Sequence, residues 1–205
     1  AKDASGNGND GEVNGADFSD VIIDLPNDSL ERTVLRTGSG KGVIVNIPSY
    51  LSGNTSKTLS FWIKDIGMNG ASNPVMIYSR PTSRNITGGG FGMQIQGGGY
   101  RFWGIFSDFE LDFTHDDNCY HHSITYGNDR VSYFIDGNLS GRANMSLSTV
   151  NDALLWIGDW TDNRSRSFNG LFENMRIYNR ALSSTEVAQL YAYESQPQSS
   201  SNTRK

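Results

Sequence analysis

Phe168-Asn-Gly-Leu-Phe-Glu-Asn-Met-Arg-Ile-Tyr-Asn-Arg-Ala-Leu-Ser183 is the stretch that decides the fold of this chain. Leu171–Tyr178 has the composition of a strand, and the chain then runs directly into a helix. Ser183 and Glu186 have the spacing of a capping box, in which each residue satisfies the other's backbone N–H. Val187, Leu190 and Tyr191 then fall on one face, so the sequence predicts a helix over Ser184–Tyr193. Beyond it, residues 195–205 form a polar stretch with nothing to bury, expected to be a flexible tail or a linker.

Working back from this end, short apolar runs recur between glycine-rich turns. Lys57-Thr-Leu-Ser-Phe-Trp-Ile-Lys64 alternates Leu59, Phe61 and Ile63 against Ser60 and Trp62, the period of a half-buried strand. Residues 74–80, 91–96, 100–106, 120–126, 130–136 and 154–158 read in the same way. Thr33–Arg36 and Gly42–Ile47, separated by Gly-Ser-Gly-Lys-Gly, read as a hairpin. Residues 1–16 read as a loop. The 23 glycines suit many tight turns, and 36% hydrophobic with 11% aromatic residues suffices for a core. Many short strands and one terminal helix predict an all-β fold, a two-sheet antiparallel β-sandwich over residues 1–194.

At the other end, Asp3-Ala-Ser-Gly-Asn-Gly-Asn-Asp-Gly11 sets carboxylates and amides among glycines. Such oxygen-rich turns suit a hard cation such as Ca²⁺. Asx side chains also close turns on their own backbone, so a self-satisfied loop is the competing reading.

Taken in order, these segments resemble the laminin-G-like jelly-roll domain of the concanavalin A-like lectin/glucanase superfamily. The matching motifs are the Asp3–Gly11 turn, Leu59–Lys64, Cys119-Tyr-His-His-Ser-Ile-Thr-Tyr126, Tyr133-Phe-Ile-Asp-Gly137 and the Phe168–Ser183 run. The chain departs from the family in two places. Cys119 stands where a Trp is usual, and the strand that normally precedes the Asp3 turn is absent, so the natural polypeptide is expected to be longer at its N-terminus. The resemblance implies a secreted or extracellular module attached to other domains. It also implies a structural Ca²⁺ held by Asp3, Asn7, Asn9, Asp10 and a remote carboxylate, Glu173, since Ca²⁺ takes more oxygens than one such loop supplies.

Composition narrows the partners. Net charge is −5 with no Lys/Arg cluster, which leaves nucleic acid no electrostatic footprint. No apolar run reaches membrane-spanning length. The single Cys119 makes no internal disulfide. Sequons at Asn27, Asn54, Asn85, Asn138, Asn144 and Asn163 matter only in a eukaryotic source.

Catalysis has weak support. A glucanase needs paired carboxylates on one strand face. Glu110 and Asp112 share a face, but the third position is His115. A polysaccharide lyase would need a general base and acid with a carboxylate-neutralising group. His121, His122, Tyr126 and Arg101 are the alternative catalytic set, with His115, Tyr120, Gln94 and Gln96 nearby, although His121 and His122 must point to opposite faces. Zinc at His115, Cys119, His121 and His122 meets the same objection.

Sugar recognition needs aromatic platforms and a few planar polar groups. Trp160 and Arg164 lie in the polar loop Asp159–Arg166. Tyr100, Arg101 and Trp103 follow Gly97-Gly-Gly, with Arg101 and Trp103 on one face. Trp103 in the sandwich interior is the competing reading, and Trp156 reads as core. The expected function is non-catalytic binding of a polysaccharide or glycan. A lyase and a structural or adhesive protein-interaction domain are the alternatives.

Overall fold

The computed structural model describes residues 1–25, 28–46, 51–67, 75–80, 87–114, 116–149, 154–159 and 166–196. Its elements in chain order are β1 (Glu12–Asn14), β2 (Asp17–Leu25), β3 (Asp28–Arg36), β4 (Gly42–Asn46), β5 (Lys57–Asp65), β6 (Val75–Arg80), β7 (Phe91–Gln96) and β8 (Gly99–Trp103). They continue as β9 (Phe109–Thr114), β10 (Cys119–Tyr126), β11 (Arg130–Ile135), β12 (Asn138–Asn144), β13 (Leu154–Ile157), β14 (Gly170–Tyr178) and α1 (Ser184–Glu194). Two seven-stranded sheets result, β1-β4-β13-β6-β7-β8-β9 and β12-β11-β10-β5-β14-β3-β2, with every named pairing antiparallel.

The alternating side chains of the two sheets meet in one core. Leu59, Phe61, Ile63, Ile124, Tyr133 and Phe172 come from the second sheet, and Ile77, Met93, Ile95, Phe102, Leu155 and Ile157 from the first. At one side the sheets touch through their edges. A side chain at Gly141 of β12 would collide with Leu111 and crowd Phe109 of β9.

The capping box forms as the sequence predicts. Ser183 Oγ accepts from Glu186 N, and Ser183 N donates to the Glu186 carboxylate at 2.8 Å. The helix then packs on the outer face of the second sheet, where Trp62 stacks on Tyr191 at 5.7 Å. That contact corrects the reading of β5: it is buried on both faces for nearly its whole length, not half-buried.

A second correction concerns β3 and β4. They are not a hairpin. β3 pairs with β2 and β14, and β4 with β1 and β13, in different sheets. The turn at Gly38–Lys41 carries the chain from one sheet to the other. Within the segment expected to be a loop, Glu12–Asn14 pairs with β4 as an edge strand. Residues 197–205 of the expected tail lie outside the described residues.

Candidate functional site

The outer face of the first sheet is built on a row in which Ile44, Trp156, Tyr78, Gly92 and Trp103 stand opposite one another on β4, β13, β6, β7 and β8. Directly paired residues share a face. Gly92 leaves a gap in the middle of this row, and the rings of Tyr78 and Trp103 stack across it at 4.2 Å, 11° from parallel. Gly90 makes the same room from the side, since a Cβ there would lie 2.7 Å from the Tyr78 ring. Ile105 packs on the pair. The Arg166 guanidinium lies 4.8 Å from the Trp103 ring. With one face of the indole on Tyr78, the guanidinium takes the other.

From Arg166 a chain of hydrogen bonds crosses the sheet. Arg166 Nη2 donates to Gln94 Oε1 at 2.8 Å, and Gln94 Nε2 donates to Gln96 Oε1 at 2.8 Å. Gln96 Oε1 also accepts from Arg101 Nη1. Arg101 Nη2 donates to Asp108 Oδ2 at 2.9 Å, and Asp108 Oδ1 accepts from Gly104 N at 2.8 Å. Gln94 is buried, whereas Gln96, Arg101, Trp103 and Arg166 are partly exposed. The result is a fixed surface of planar amide and guanidinium groups around an aromatic stack. Each polar group is held by a neighbour rather than left to rotate, so little side-chain entropy remains to be lost when a ligand docks.

The expected residues separate clearly on this geometry. Arg101 and Trp103 lie together on the outer face, so Trp103 is not in the sandwich interior. Trp156 is half-buried on that same face, which corrects its reading as core. Tyr100 turns the other way. It is 2% exposed in the core, against Phe113 and His122. Trp160 and Arg164 lie outside the described residues, as does His115.

The alternative catalytic set is not brought together. His121 and His122 are both fully buried, on opposite faces of β10. His122 stacks on Phe61 in the core, with Nδ1 2.9 Å from Tyr133 Oη. His121 lies under α1, and loss of solvent pushes its pKa down to about 4. Tyr126 is buried in the second sheet and holds the Leu147 N–H at 2.9 Å, while Arg101 is on the outer face of the first. Near His121, Ser60 Oγ is 2.8 Å and Glu194 Oε2 3.6 Å from Nε2. This has the residue types of a catalytic triad without its geometry, because both partners approach the same ring nitrogen and no ligand reaches it. Cys119 is also buried, its thiol pushed up to about 12 by desolvation, far from a reactive thiolate.

The expected cation ligands divide as well. Asp3 accepts from Ser5 N at 2.8 Å, Ser5 Oγ at 2.8 Å and Asn9 N at 3.0 Å. The Ser5 hydroxyl and these backbone donors hold its pKa down at about 2. Asp10 accepts from Asp3 N at 2.8 Å and pairs with Lys2. Glu173 faces none of them. Its carboxylate receives Arg32 Nη1 at 2.7 Å beneath the helix, so a guanidinium occupies the place a cation would take and Glu173 leaves the proposed set. Burial raises its pKa, and Arg32 opposes that rise. Among the described residues, no three Asp, Glu, His or Cys side chains gather into a metal cage.

The sequence reading missed Phe106. It is 74% exposed, the most exposed large apolar side chain among the described residues, and sits in the turn after Trp103. The sequence reading carried the strand to residue 106, whereas β8 ends at Trp103 and leaves Phe106 in the turn.

Comparison with solved structures finds the same architecture in other proteins. Domain 4 of AbnA, a GH43 extracellular arabinanase from Geobacillus stearothermophilus solved in complex with arabinotriose, superposes with a TM-score of 0.68 at 18% identity. The match covers 92% of this chain and 91% of that one. The binding domain of Paraclostridial Mosquitocidal Protein 1 gives 0.67 at 21% identity, covering 94% of this chain and 49% of that one. The receptor binding domain of botulinum neurotoxin C/D mosaic serotype gives 0.66 at 15%, covering 93% and 48%. The chain thus spans about half the length of the two toxin domains. At these identities the likeness is one of fold. No curated protein matches by sequence. A family model described as concanavalin A-like lectin/glucanases superfamily, of laminin-G type, matches residues 37–188. The chain belongs to the concanavalin A-like lectin/glucanases superfamily.

Proposed function

We propose that this chain is a non-catalytic carbohydrate-binding module of a larger extracellular protein, and that it binds glycan on the outer face of the first sheet. The Tyr78–Trp103–Arg166 stack, continued through Gln94, Gln96 and Arg101, carries the reading. Planar, pre-positioned donors and acceptors beside aromatic surface are what a ring bearing hydroxyls on its edge and C–H groups on its face requires. The arabinanase domain, solved with arabinotriose, supports a sugar as ligand for this fold.

Co-sedimentation with insoluble polysaccharides, reading polymer length in the same tubes, tests the proposal. Bound protein with unchanged polymer, and weaker binding by Arg101→Ala, is the expected result. Shortened polymer overturns the non-catalytic reading, and no retention on any polysaccharide overturns the glycan.

Calcium is proposed only for the Asp3–Asp10 turn. Support comes from two carboxylates in one loop, both held ionised through neutral pH by hydrogen bonds. Calcium is expected to raise the melting temperature relative to chelator. Equal melting temperatures remove the ion and leave the turn closed by its own Asx hydrogen bonds.

A further inference from the structure

Building on that reading, we infer that Phe106 is the ring that stacks on a ligand held by the same face, and that the ligand is an extended glycan chain rather than a single terminal sugar. Two consecutive residues of the β8–β9 turn, Ile105 at φ 55° and Phe106 at φ 58°, adopt the left-handed conformation. Neither is Gly, Asn or Asp, and a β-branched residue there is a true outlier. Strain of this kind persists only where surrounding contacts enforce it, and it concentrates at ligand-contacting sites.

Those contacts are identifiable. Ile105 is 4% exposed against Tyr78 and Trp103, and its carbonyl accepts from Gly88 N at 2.9 Å. Asp108 holds the start of the turn through Gly104 N, and Arg101 holds Asp108. Gly104 itself allows no side chain, since a Cβ would lie 2.5 Å from Ser107 O. The same network that orders the sheet face therefore anchors a turn whose tip presents a phenyl ring to water. Burying Ile105 alone gives no reason for the following residue to be a large exposed aromatic.

The chemistry around the tip selects the occupant. Trp103 has Tyr78 on one face and Arg166 over the other, so it works as a strut and leaves stacking to another ring. Phe106 is that ring. Asp108 and Glu110 lie close in sequence and the chain carries −5 overall, which disfavours insertion into an anionic lipid surface. Arg101 and Trp103 are two residues apart on β8, about 7 Å at the rise of a strand, and the turn that carries Phe106 begins beyond Trp103. A ligand that reaches from the Arg101 guanidinium across Trp103 to Phe106 is therefore longer than one sugar ring.

The test uses the whole protein, a panel of soluble arabinan, xylan, β-glucan and polygalacturonate, and oligosaccharides of increasing length from whichever polymer binds. Phe106→Ala is expected to weaken binding about three- to tenfold, the range of one aromatic contact, with an unchanged melting temperature. Phe106→Trp is expected to restore binding, and affinity is expected to rise from the monosaccharide to longer oligomers. Unchanged binding by Phe106→Ala alongside loss by Arg101→Ala overturns the role of Phe106 and leaves the glycan reading intact. Equal affinity for monomer and oligomer overturns the extended ligand. A wild-type protein that binds none of the panel overturns both readings. Phe106-dependent binding to phosphatidylcholine–phosphatidylserine vesicles in place of polysaccharide assigns the tip to a membrane surface and overturns the sugar.

Discussion

His121 is fully buried between Trp62 and Tyr191, and its Nδ1 has no hydrogen-bond partner among the described residues. Burial holds the imidazole neutral, with a pKa near 4 against an ordinary 6.5. Between those values the unfolded chain takes up a proton and the folded chain does not, so stability falls as pH drops from 6.5 towards 4. The loss is on the order of 3 kcal/mol. Urea unfolding at pH 4.5 and pH 7 is expected to show a smaller difference in His121→Gln than in the parent chain. An equal difference assigns the pH dependence to other groups. The opposite orientations of His121 and His122 were legible from the two-residue period of a strand. Both are buried because a helix covers one face of β10 and the other sheet covers the opposite face. The same period put Arg101 with Trp103 and apart from Tyr100, but could not say which face was outside. Phe106 was illegible because nothing in Ile-Phe announces two left-handed residues; the conformation is imposed by Gly104, Asp108 and the Tyr78 ring.

Beneath α1, three elements are joined by buried charge. Arg32 on β3 pairs with Glu173 on β14 and donates to the Glu194 backbone carbonyl at 2.8 Å. The Glu194 carboxylate receives Arg176 Nε at 2.6 Å and Trp62 Nε1 at 2.9 Å. Removing one member of such a pair leaves the other charge buried and alone. Arg32→Met is therefore expected to destabilise by about 3–5 kcal/mol, and Arg32→Met with Glu173→Leu to recover most of it. Denaturant midpoints check this; a double variant no better than the single assigns the loss to packing. The strand–helix end was legible because its cap and periodic face lie in one short window. β12, which ends its sheet, was missed since Asn, Ser, Gly and Arg interrupt its apolar pattern. Polar residues of this kind protect a sheet edge from stray pairing, so the feature that hid the strand is also useful to the fold.

Across the whole molecule the two outer faces have opposite fates. The second sheet is closed by α1 over Trp62, while the first presents the Tyr78–Trp103–Arg166 stack and the polar chain to Arg101. A two-sheet antiparallel sandwich followed from the sequence pattern, and membership of the superfamily from its ordered motifs. The composite site did not, because its groups come from β6, β7, β8, the turn after β8 and Arg166 just before β14. Only the pairing of distant strands brings them together. The docked helix also has an optical consequence. Trp62 reports its attachment directly, since the indole N–H is bonded to the last helical residue and the ring lies on Tyr191. In a variant retaining Trp62 as its sole tryptophan, a red shift in emission before loss of sheet signal marks the helix peeling away first.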